Sequence, residues 1–256
     1  MTEETNVCAI IQARMSSKRL PGKVLKDLCN KTVIQHIHDR LQECRFIDKI
    51  IIATSNDSSD DVLVNHCAEH NMLFFQGSLN DVLNRFSSCA DKYHATHIVR
   101  ITGDCPLIDP KIVDSVICGG LYGGFDYYGL GEDFPDGLDC TFIRKQVLVE
   151  ANNKARLESD REHVGPFIER NDENNFKLGH LRLFYNTNHI RLCIDDQEDF
   201  DLVKEIYENL YNPDQKYFDA FDVLKLLNEK PELLKINEGK IRNEGLLEAI
   251  KKEKNV

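Results

Sequence analysis

The first 118 residues repeat one pattern, in which a short apolar run is followed by a longer segment whose apolar residues recur every three or four positions. Short apolar runs bounded by turn residues are typical of buried strands, and the longer period is typical of helices that cover a sheet. The predicted strands are 7–12, 50–53, 72–75 and 97–102. This alternation indicates βαβ units and a mainly parallel sheet with helices on both faces.

Polar residues mark where the helices of this pattern begin, near residues 32, 58, 82 and 109. Thr32 and Gln35 have the spacing of a capping box, in which two free N–H groups are satisfied reciprocally. Asp109 followed by Pro110 is typical of an N-cap with proline at the first helical position. These signals support the helix starts independently of the apolar periodicity.

The alternation stops after Cys118, where seven glycines fall among tyrosine and aspartate residues between positions 119 and 137. We interpret residues 119–190 as an excursion from the sheet, inserted into a single domain of residues 1–256. Irregular segments often carry binding residues, so we expect this one to form the rim of a site and a contact to a partner. A strand at 190–194, a helix from about 199 to 211 and a peripheral C-terminal helix complete the predicted pattern.

Composition narrows the class of protein. A chain of 256 residues that is 41% hydrophobic and 29% charged suits one large globular domain. It has no apolar run of membrane-spanning length, and its acidic N-terminal segment MTEETN lacks the apolar part of a signal peptide. Nine scattered cysteines without a C-x-x-C pair predict reduced thiols, and a net charge of −11 argues against a nucleic-acid partner. We therefore expect a cytoplasmic protein with neither a nucleic-acid nor a membrane partner.

One stretch contrasts with this acidic composition. Residues 10–25, IIQARMSSKRLPGKVL, contain no acidic residue and four cations, namely Arg14, Lys18, Arg19 and Lys23. The stretch follows the first predicted strand, so it lies at the carboxyl edge of the sheet, where ligands of open parallel sheets bind. Pro21 and Gly22 favour a tight reversal that brings backbone N–H groups close to a ligand. A solvated basic turn is the alternative, but the complete absence of acids favours a phosphate-binding loop.

This loop matches neither of the two common nucleotide-binding loops. A P-loop requires Ser or Thr after its lysine, whereas Val24 follows Lys23, and no G-x-G-x-x-G follows the first strand. The chain also lacks H-E-x-x-H, and its cysteines form no plausible set of metal ligands. The residues therefore indicate a less common class of nucleotide-binding loop.

Several stretches resemble the signature of the cytidylyltransferases that make CMP-activated sugars. Besides residues 10–25, these are NDVLNRF (80–86), IVRITGDCPLIDP (98–110), DGLDCTF (136–142), REHV (161–164) and RLCIDDQEDFDLV (191–203). The likeness is greatest to SpsF-like spore coat polysaccharide biosynthesis proteins, and extends to CMP-Kdo synthetases and acylneuraminate cytidylyltransferases. Ser16 stands where many relatives have glycine. Val24 stands where several sialate enzymes have asparagine, which argues against a sialic-acid-type substrate.

The resemblance implies a fold and an activity. The implied fold is α/β, with a mainly parallel mixed sheet of the nucleotide-diphospho-sugar transferase (GT-A-like) type and a protruding arm that forms a homodimer. The implied activity is Mg²⁺-dependent transfer of CMP from CTP to an acidic or phosphorylated sugar for a surface polysaccharide, with release of pyrophosphate. Such chemistry requires neutralising a polyanion and placing the attacking oxygen in line with the leaving group.

The resemblance also implies roles for individual residues. Arg14 and Lys23 would grip the triphosphate and, with Asp104, would carry the reaction. Asp104 and Asp195 each follow an apolar strand and would hold Mg²⁺, which prefers carboxylate and phosphate oxygens. The residues implied at the nucleotide are Ala13, Arg14, Ser17, Arg19, Lys23, Arg85 and Asp104. The residues implied at the sugar are Asp136, Asp139, Arg161 and His163.

Several of these residues have a purely structural alternative. Asp104 lies in Gly-Asp-Cys-Pro, which is also turn chemistry, and Asp195 competes with Asp196 and with Asp199, which can cap a following helix. Asp81 and Arg85 lie four apart and can form a helical ion pair.

Two further residues and the function have alternatives of their own. Arg100 can belong to an ion pair at the sheet edge, and His163 can be an ordinary hydrogen-bonding histidine instead of a general base. The alternative functions are nucleotidyl transfer from another nucleotide to a sugar 1-phosphate, glycosyl transfer from a nucleotide sugar, and nucleotide binding without turnover.

Overall fold

The structure is a computed structural model that describes residues 4–173, 175–183 and 185–254. Its strands are β1 (Val7–Gln12), β2 (Asp27–Leu28), β3 (Lys31–Thr32), β4 (Lys49–Ser55), β5 (Leu73–Gly77), β6 (His97–Thr102), β7 (Tyr127–Leu130), β8 (Cys140–Arg144) and β9 (Leu178–Leu181). Seven strands form one sheet in the order β5-β4-β1-β6-β8-β7-β9, and β2 pairs with β3 separately. Within the large sheet, β8 runs antiparallel to both of its neighbours, while the other pairs are parallel.

Helices cover both faces of this sheet. They are α1 (Val33–Leu41), α2 (Asp61–Glu69), α3 (Val82–Lys92), α4 (Pro110–Gly123), α5 (Lys145–Lys154), α6 (Glu158–His163), α7 (Pro166–Arg170), α8 (Gln197–Leu210), α9 (Ala220–Glu229) and α10 (Glu244–Lys254). Short 3₁₀ helices occur at Lys23–Leu25, Ser58–Asp60 and Pro231–Lys235. None of the helices in the described part of the chain has both the length and the apolar character needed to cross a bilayer.

The predicted strands and caps of the first 118 residues are confirmed. β1 and β6 have the predicted bounds, and Thr32 and Gln35 form the reciprocal capping box of α1. The Asp109 side chain accepts hydrogen bonds from the first N–H groups of α4, which begins at Pro110. These features are set by neighbouring residues, which is why the local pattern predicts them.

The interpretation of residues 119–190 as an excursion from the sheet is wrong. α4 continues to Gly123, and the segment then supplies β7, β8 and β9, three of the seven strands. The glycines of α4 are required by close packing, because a Cβ atom at Gly120 would lie 2.2 Å from the ring of Phe142. The predicted strand at 190–194 forms only an isolated bridge between Arg191 and Asp136. The contact with a second subunit stays a prediction.

The alternation of side chains along the strands divides the core into two halves. Ile11 and Val99 point to the face covered by α1, α4 and α8, whereas Ile10 and Ile98 point to the face covered by α3, α5 and α7. All four side chains are completely buried. Polar residues that continue β1 and β6 beyond these apolar positions are therefore brought to the carboxyl edge of the sheet.

Candidate active site

A large cleft opens at the carboxyl ends of β1 and β6. Its lining comes from the basic loop after β1, the turn after β6, the β7–β9 region, the segment before α8, and α6 and α10. The cleft volume of about 1560 Å³ exceeds that of most single-ligand pockets, which reach roughly 1,000 Å³. The cleft therefore has room for two substrates side by side.

The loop after β1 folds back on itself at a glycine. Gly22 has φ of +69°, a left-handed conformation that glycine adopts without strain, and its N–H donates to the Met15 carbonyl at 3.0 Å. The reversal places Lys23 at the start of a 3₁₀ helix, with its side chain in the cleft. At Gly103 a Cβ atom would lie 2.9 Å from the Gln12 carbonyl oxygen, so glycine keeps the turn after β6 close to this loop.

Lys23 joins the two predicted metal-binding aspartates. Its Nζ donates to Asp104 Oδ2 at 2.9 Å, to Asp195 Oδ1 at 3.0 Å and to the Ile194 carbonyl at 2.6 Å. These three hydrogen bonds use the full donor capacity of an ammonium group. Two carboxylates that are distant in sequence thus meet at one place on the sheet edge, where they bind a lysine, and their binding of Mg²⁺ stays a prediction.

The charges of this group shift the acid–base properties of its members. Burial alone would raise the pKa of Asp104, but the Lys23 ammonium and hydrogen bonds from Thr102, Lys23 and Cys105 outweigh burial and lower this pKa to about 2. Burial alone would lower the pKa of Lys23, yet Asp104 and Asp195 hold it above its usual range. Asp104 is therefore a carboxylate, and Lys23 an ammonium, throughout the physiological pH range.

Asp195 is surrounded by further cations. Its Oδ2 accepts from Arg191 Nη2 at 2.6 Å and lies 3.0 Å from Arg19 Nη2. Arg191 also bonds Asp136 at 2.6 Å and Asp199 at 3.1 Å. We call Arg19, Lys23, Asp104, Arg191 and Asp195 the Lys23 cluster. Every charge in this cluster has an opposite charge within hydrogen-bonding distance.

The alternatives for Asp195 have other tasks. Asp196 caps α8 by accepting from the Asp199 N–H, and it also pairs with Lys240. Asp199 is completely buried and accepts from the Asp195 N–H at 3.0 Å and from Arg191 Nε at 3.1 Å. Of the three aspartates, only Asp195 lies among the described residues that line the cleft.

Most of the residues predicted at the nucleotide line the cleft. Arg14 is partly exposed there, 3.7 Å from Glu162, and Arg19 forms ion pairs with Asp195 and Glu244. Ser17 accepts a hydrogen bond from the Leu20 N–H within the loop. The predicted nucleotide residues in the lining are Ala13, Arg14, Ser17, Arg19, Lys23 and Asp104.

Arg85 lies outside the lining of the cleft in the described residues. It is 1% exposed, and its Nη1 donates to the Ser78 carbonyl at 2.7 Å. The alternative of an ion pair between Arg85 and Asp81 is wrong, since Asp81 caps α3 and pairs with Arg161 instead. Arg85 is buried behind the cleft wall, and its contact with a nucleotide stays a prediction.

The predicted sugar residues divide between the cleft and its exterior. Asp136, Asp139 and His163 line the cleft. Arg161 is not among the described lining residues, and it binds Asp81 and the Asn152 carbonyl instead. Asp139 accepts from Arg242 Nη2 at 3.0 Å. Burial, followed by the charge of Asp139, raises the pKa of Asp136 to about 6 against the opposing effects of Arg191 and Arg242.

The donor set at the Lys23 cluster fits a magnesium ion. Mg²⁺ is held in proteins by one or two carboxylates together with substrate phosphates and water, and Asp104 and Asp195 provide two carboxylates on the cleft. The described residues contain one group of three His, Cys, Asp or Glu side chains close enough together to hold a metal ion without a substrate. This group is His66, Glu69 and His70 at the end of α2, and it lies outside the cleft lining.

Comparison with known proteins assigns the chain to a family. A family model for cytidylyltransferases matches residues 8–219. The chain belongs to the cytidylyltransferase family. It is therefore a nucleotidyltransferase.

Relatives of this cytidylyltransferase extend the likeness over most of its length. The spore coat polysaccharide biosynthesis protein SpsF of Bacillus subtilis (strain 168) is 32% identical over 236 residues, which are 89% of this chain and 96% of SpsF. The structure of a cytidylyltransferase from Leptospira borgpetersenii serovar Hardjo-bovis (strain JB197) has a TM-score of 0.85 at 29% identity, covering 93% of this chain and 99% of that one.

A more distant structure shares the fold alone. The structure of CMP:2-keto-3-deoxy-manno-octonic acid synthetase complexed with CTP has a TM-score of 0.61 at 14% identity, and covers 80% of this chain and 99% of that one. The mainly parallel seven-stranded sheet of this cytidylyltransferase is thus the fold of nucleotidyltransferases.

The C-terminal segment lines part of the cleft, although it lies beyond the family match that ends at residue 219. Arg242 donates to the Phe134 carbonyl at 2.9 Å, and Glu244 at the start of α10 pairs with Arg19. Glu253 near the end of α10 accepts from the N–H and the hydroxyl of Ser159 on α6. The sequence predicts α10 as a peripheral helix and gives no signal for this position over the cleft.

Two cleft arginines are absent from the predicted site. Arg191 binds Asp136 and Asp195 of the cleft lining and the buried Asp199, and the signals that could have indicated it are its place in the stretch 191–203 and its spacing of four from Asp195. Arg100 lines the cleft, and the expected ion pair at the sheet edge is wrong, because its side chain has no ion-pair partner in the described residues.

Proposed function

We propose that this cytidylyltransferase transfers CMP from CTP to an acidic or phosphorylated sugar, with release of pyrophosphate, in the synthesis of a surface polysaccharide. The observation that carries the proposal is Lys23, which follows the basic loop and binds Asp104 and Asp195 at one edge of the sheet. The printed name of SpsF, a polysaccharide biosynthesis protein, supports the sugar acceptor. The CTP complex of the synthetase that shares the fold supports the nucleotide.

The Lys23 cluster suits a reaction that begins with an exchange of partners. In the structure, Lys23 and Arg19 are bound to carboxylates of the protein. A triphosphate that enters the cleft competes for these cations, and it carries more charge than Asp104 and Asp195 together. Transfer of the cations to phosphate oxygens would release both aspartates and neutralise the polyanion at the same time.

The released carboxylates would bind a magnesium ion. Asp104 and Asp195 would hold Mg²⁺, which supplies charge stabilisation at the phosphate that is attacked. Arg14 and the Ser17 hydroxyl, which also line the cleft, would fix the triphosphate from the loop side. The role of the protein is thus to position the substrates and to neutralise the charge of the triphosphate.

In the transfer step, a sugar hydroxyl oxygen forms a bond to the α-phosphorus of CTP. The bond between that phosphorus and the bridging oxygen of pyrophosphate breaks, and the hydroxyl proton is released. The electron pair of the broken bond leaves with pyrophosphate, so the step is balanced without an oxidant or a reductant. The homodimer and the cytoplasmic location expected from the sequence remain predictions that accompany this proposal.

A panel of the four ribonucleoside triphosphates tests the proposal. Each is incubated with Mg²⁺ and a set of neutral, carboxylated and phosphorylated sugars, and phosphate is measured after addition of pyrophosphatase. We expect phosphate release with CTP and an anionic sugar only. Release with another triphosphate would instead identify a different nucleotidyltransferase, and loss of a nucleoside diphosphate from a nucleotide sugar would identify a glycosyltransferase. Binding of CTP without turnover would identify a non-enzymatic module.

A further inference from the structure

Three polar atoms in the cleft lack a hydrogen-bond partner. They are Gln12 Oε1, Arg100 Nε and His163 Nε2, all of which are buried from solvent and unpartnered in the described residues. All three side chains belong to the cleft lining. Buried polar groups in native proteins nearly always have a partner, so three orphan atoms in one cleft indicate a site whose partner is a ligand.

The strand pattern brings these side chains to one face of the sheet. Ile10 and Arg100 are register partners in β1 and β6, and Ile10 points to the core beneath α3 and α5. Since alternate residues share a face, Gln12 and Arg100 continue that face beyond the apolar core, towards the carboxyl edge. His163 ends α6 on the same side, and the following residue, Val164, is buried in the same core.

Arg100 and His163 present a cation and an imidazole to the cleft. The Arg100 side chain forms neither an ion pair nor a hydrogen bond with the described residues. Burial lowers the pKa of His163, and although Glu162 opposes this shift, the positive charges of Arg100 and Arg14 add to it. The imidazole is therefore neutral at pH 7 and able to bond a hydroxyl group, while the guanidinium has no ion-pair partner in the described residues.

The position of Arg100 separates it from the Lys23 cluster. Arg100 precedes the end of β6 at Thr102 by two residues, about 7 Å at roughly 3.3 Å per residue, and Asp104 lies beyond that end. A ligand group at Arg100 is thus deeper in the cleft than phosphates bound at Lys23. That separation leaves room for a sugar ring between the two sites.

We propose that Arg100 binds an oxyanion of the sugar acceptor, a carboxylate or a phosphate, and that Gln12 and His163 bind the acceptor's hydroxyl groups. This inference rests on the proposed function, because it concerns the second substrate of the same reaction. A guanidinium presents two parallel N–H groups to the two oxygens of such an anion, which gives geometric selectivity as well as charge. Arg100 is then a specificity-determining residue for the acceptor.

The proposal makes an unusual prediction about stability. If Arg100 serves a ligand and not the fold, Arg100→Met removes a half-buried charge that has no ion-pair partner in the described residues, and the variant without ligand melts at the same temperature as the wild type or higher. A merely structural arginine would instead lower the melting temperature when replaced. Arg144→Met is a matched control, because Arg144 Nε is also unpartnered but Arg144 pairs with Asp126 and lies outside the described cleft lining.

The binding experiment compares matched sugars in the presence of CTP and EDTA, so that no turnover occurs. The probes are glucose and mannose as neutral sugars, glucuronate and 3-deoxy-manno-octulosonate as carboxylates, and glucose 6-phosphate. We expect the half-saturating concentration of at least one anionic probe for the wild type to be at least tenfold lower than the half-saturating concentrations of the neutral sugars. The carboxylate and phosphate arms distinguish the two sources of the anion.

The variants decide the assignment. Arg100→Met should lose the preference for the anionic probe, Arg100→Lys should keep part of it, and Arg144→Met should keep all of it. Affinity for CTP, measured separately by calorimetry, should be unchanged in Arg100→Met. The inference is overturned if the wild type shows no anion preference, if Arg100→Met retains it, or if that variant loses CTP binding instead. Failure of the wild type to bind CTP would overturn the proposed function itself.

Discussion

Every charged side chain of the Lys23 cluster has an ion-pair partner, whereas Arg100, in another part of the same cleft, has none in the described residues. Lys23 is bonded to Asp104 and Asp195, and Asp195 in turn to Arg191, whereas Arg100 has no opposite charge within reach in the described residues. Both regions lie on the same sheet edge and line the same cleft. The two regions therefore face one cleft but present different groups to a ligand, namely paired charges at Lys23 and, in the described residues, a charge without an ion-pair partner at Arg100.

A paired cluster and an unpaired charge impose different requirements on a substrate. A ligand at the Lys23 cluster must displace carboxylates from cations, which favours a polyanion with more charge than the groups that it replaces. A ligand at Arg100 displaces no protein group and needs a single anion. From this comparison we expect the triphosphate to bind at the first region and the acceptor at the second.

Removing a carboxylate from the paired region should have the largest effect. We expect Asp104→Asn to lower kcat by at least about a hundredfold, because the loss of metal and phosphate positioning removes several kcal/mol of transition-state stabilisation. The measurement is pyrophosphate release at saturating CTP, with circular dichroism to verify the fold. Asp39→Asn is the control, since Asp39 accepts from Lys31 Nζ at 2.5 Å outside the cleft lining. A normal rate in Asp104→Asn would remove Asp104 from the site.

Removing the central cation should have a smaller effect, on binding. Lys23→Met deletes one charge-assisted contact to phosphate, so CTP affinity should fall about tenfold to a hundredfold. The salt dependence of binding should also flatten, because one screened charge pair is gone. Calorimetric titrations at two salt concentrations measure both quantities, and Lys31→Met serves as the control. Unchanged affinity and an unchanged salt slope would contradict the assignment of the loop.

Removing the carboxylate of Glu244, which competes with the triphosphate for Arg19, should have the smallest effect. This change should strengthen CTP binding instead of weakening it. Glu244 at the start of α10 pairs with Arg19, and both side chains are more than two-fifths exposed, so the ion pair contributes at most about 1 kcal/mol. Glu244→Gln removes this competitor of the triphosphate for Arg19. We expect the affinity for CTP to stay the same or to rise by up to about fivefold.

The same calorimetric titration, with Glu248→Gln as the control, measures this gain. Glu248 lies on the same helix and lines the cleft, but it has no ion pair in the described residues. Weaker CTP binding in Glu244→Gln would show that Glu244 supports the nucleotide site instead of competing with it.

The sequence predicts the first half of the fold well and the second half poorly, for a physical reason. The strand bounds of β1 and β6 and the cap at Thr32 follow from neighbouring residues. The glycines around Gly120 look like loop residues, yet they sit in and beside a helix because the ring of Phe142 leaves no space for a side chain. A requirement set by a residue on another element is not visible in a local pattern.

The site shows the same division between local and tertiary information. The positions of the basic loop after β1 and of Asp104 after β6 are predictable, because loops that follow parallel strands meet at one edge. Asp195 contacts Lys23 at the same place, but it follows a segment that forms only an isolated bridge. The sequence does not indicate that Arg161 pairs with Asp81, or that Arg100 lacks an ion-pair partner in the described residues, because it shows a charge but not the partner of that charge. The position of α10 over the cleft depends on contacts with α6 that no periodicity encodes.

A crystal structure with CTP and Mg²⁺ tests the central claim most directly, namely that Lys23 exchanges its carboxylate partners for phosphate. We predict that Lys23 Nζ contacts the triphosphate, that Asp104 and Asp195 face the magnesium ion, and that the loop of residues 13–23 lies against the phosphates. A structure in which Lys23 keeps its bonds to Asp104 and Asp195 while CTP binds elsewhere would contradict the account.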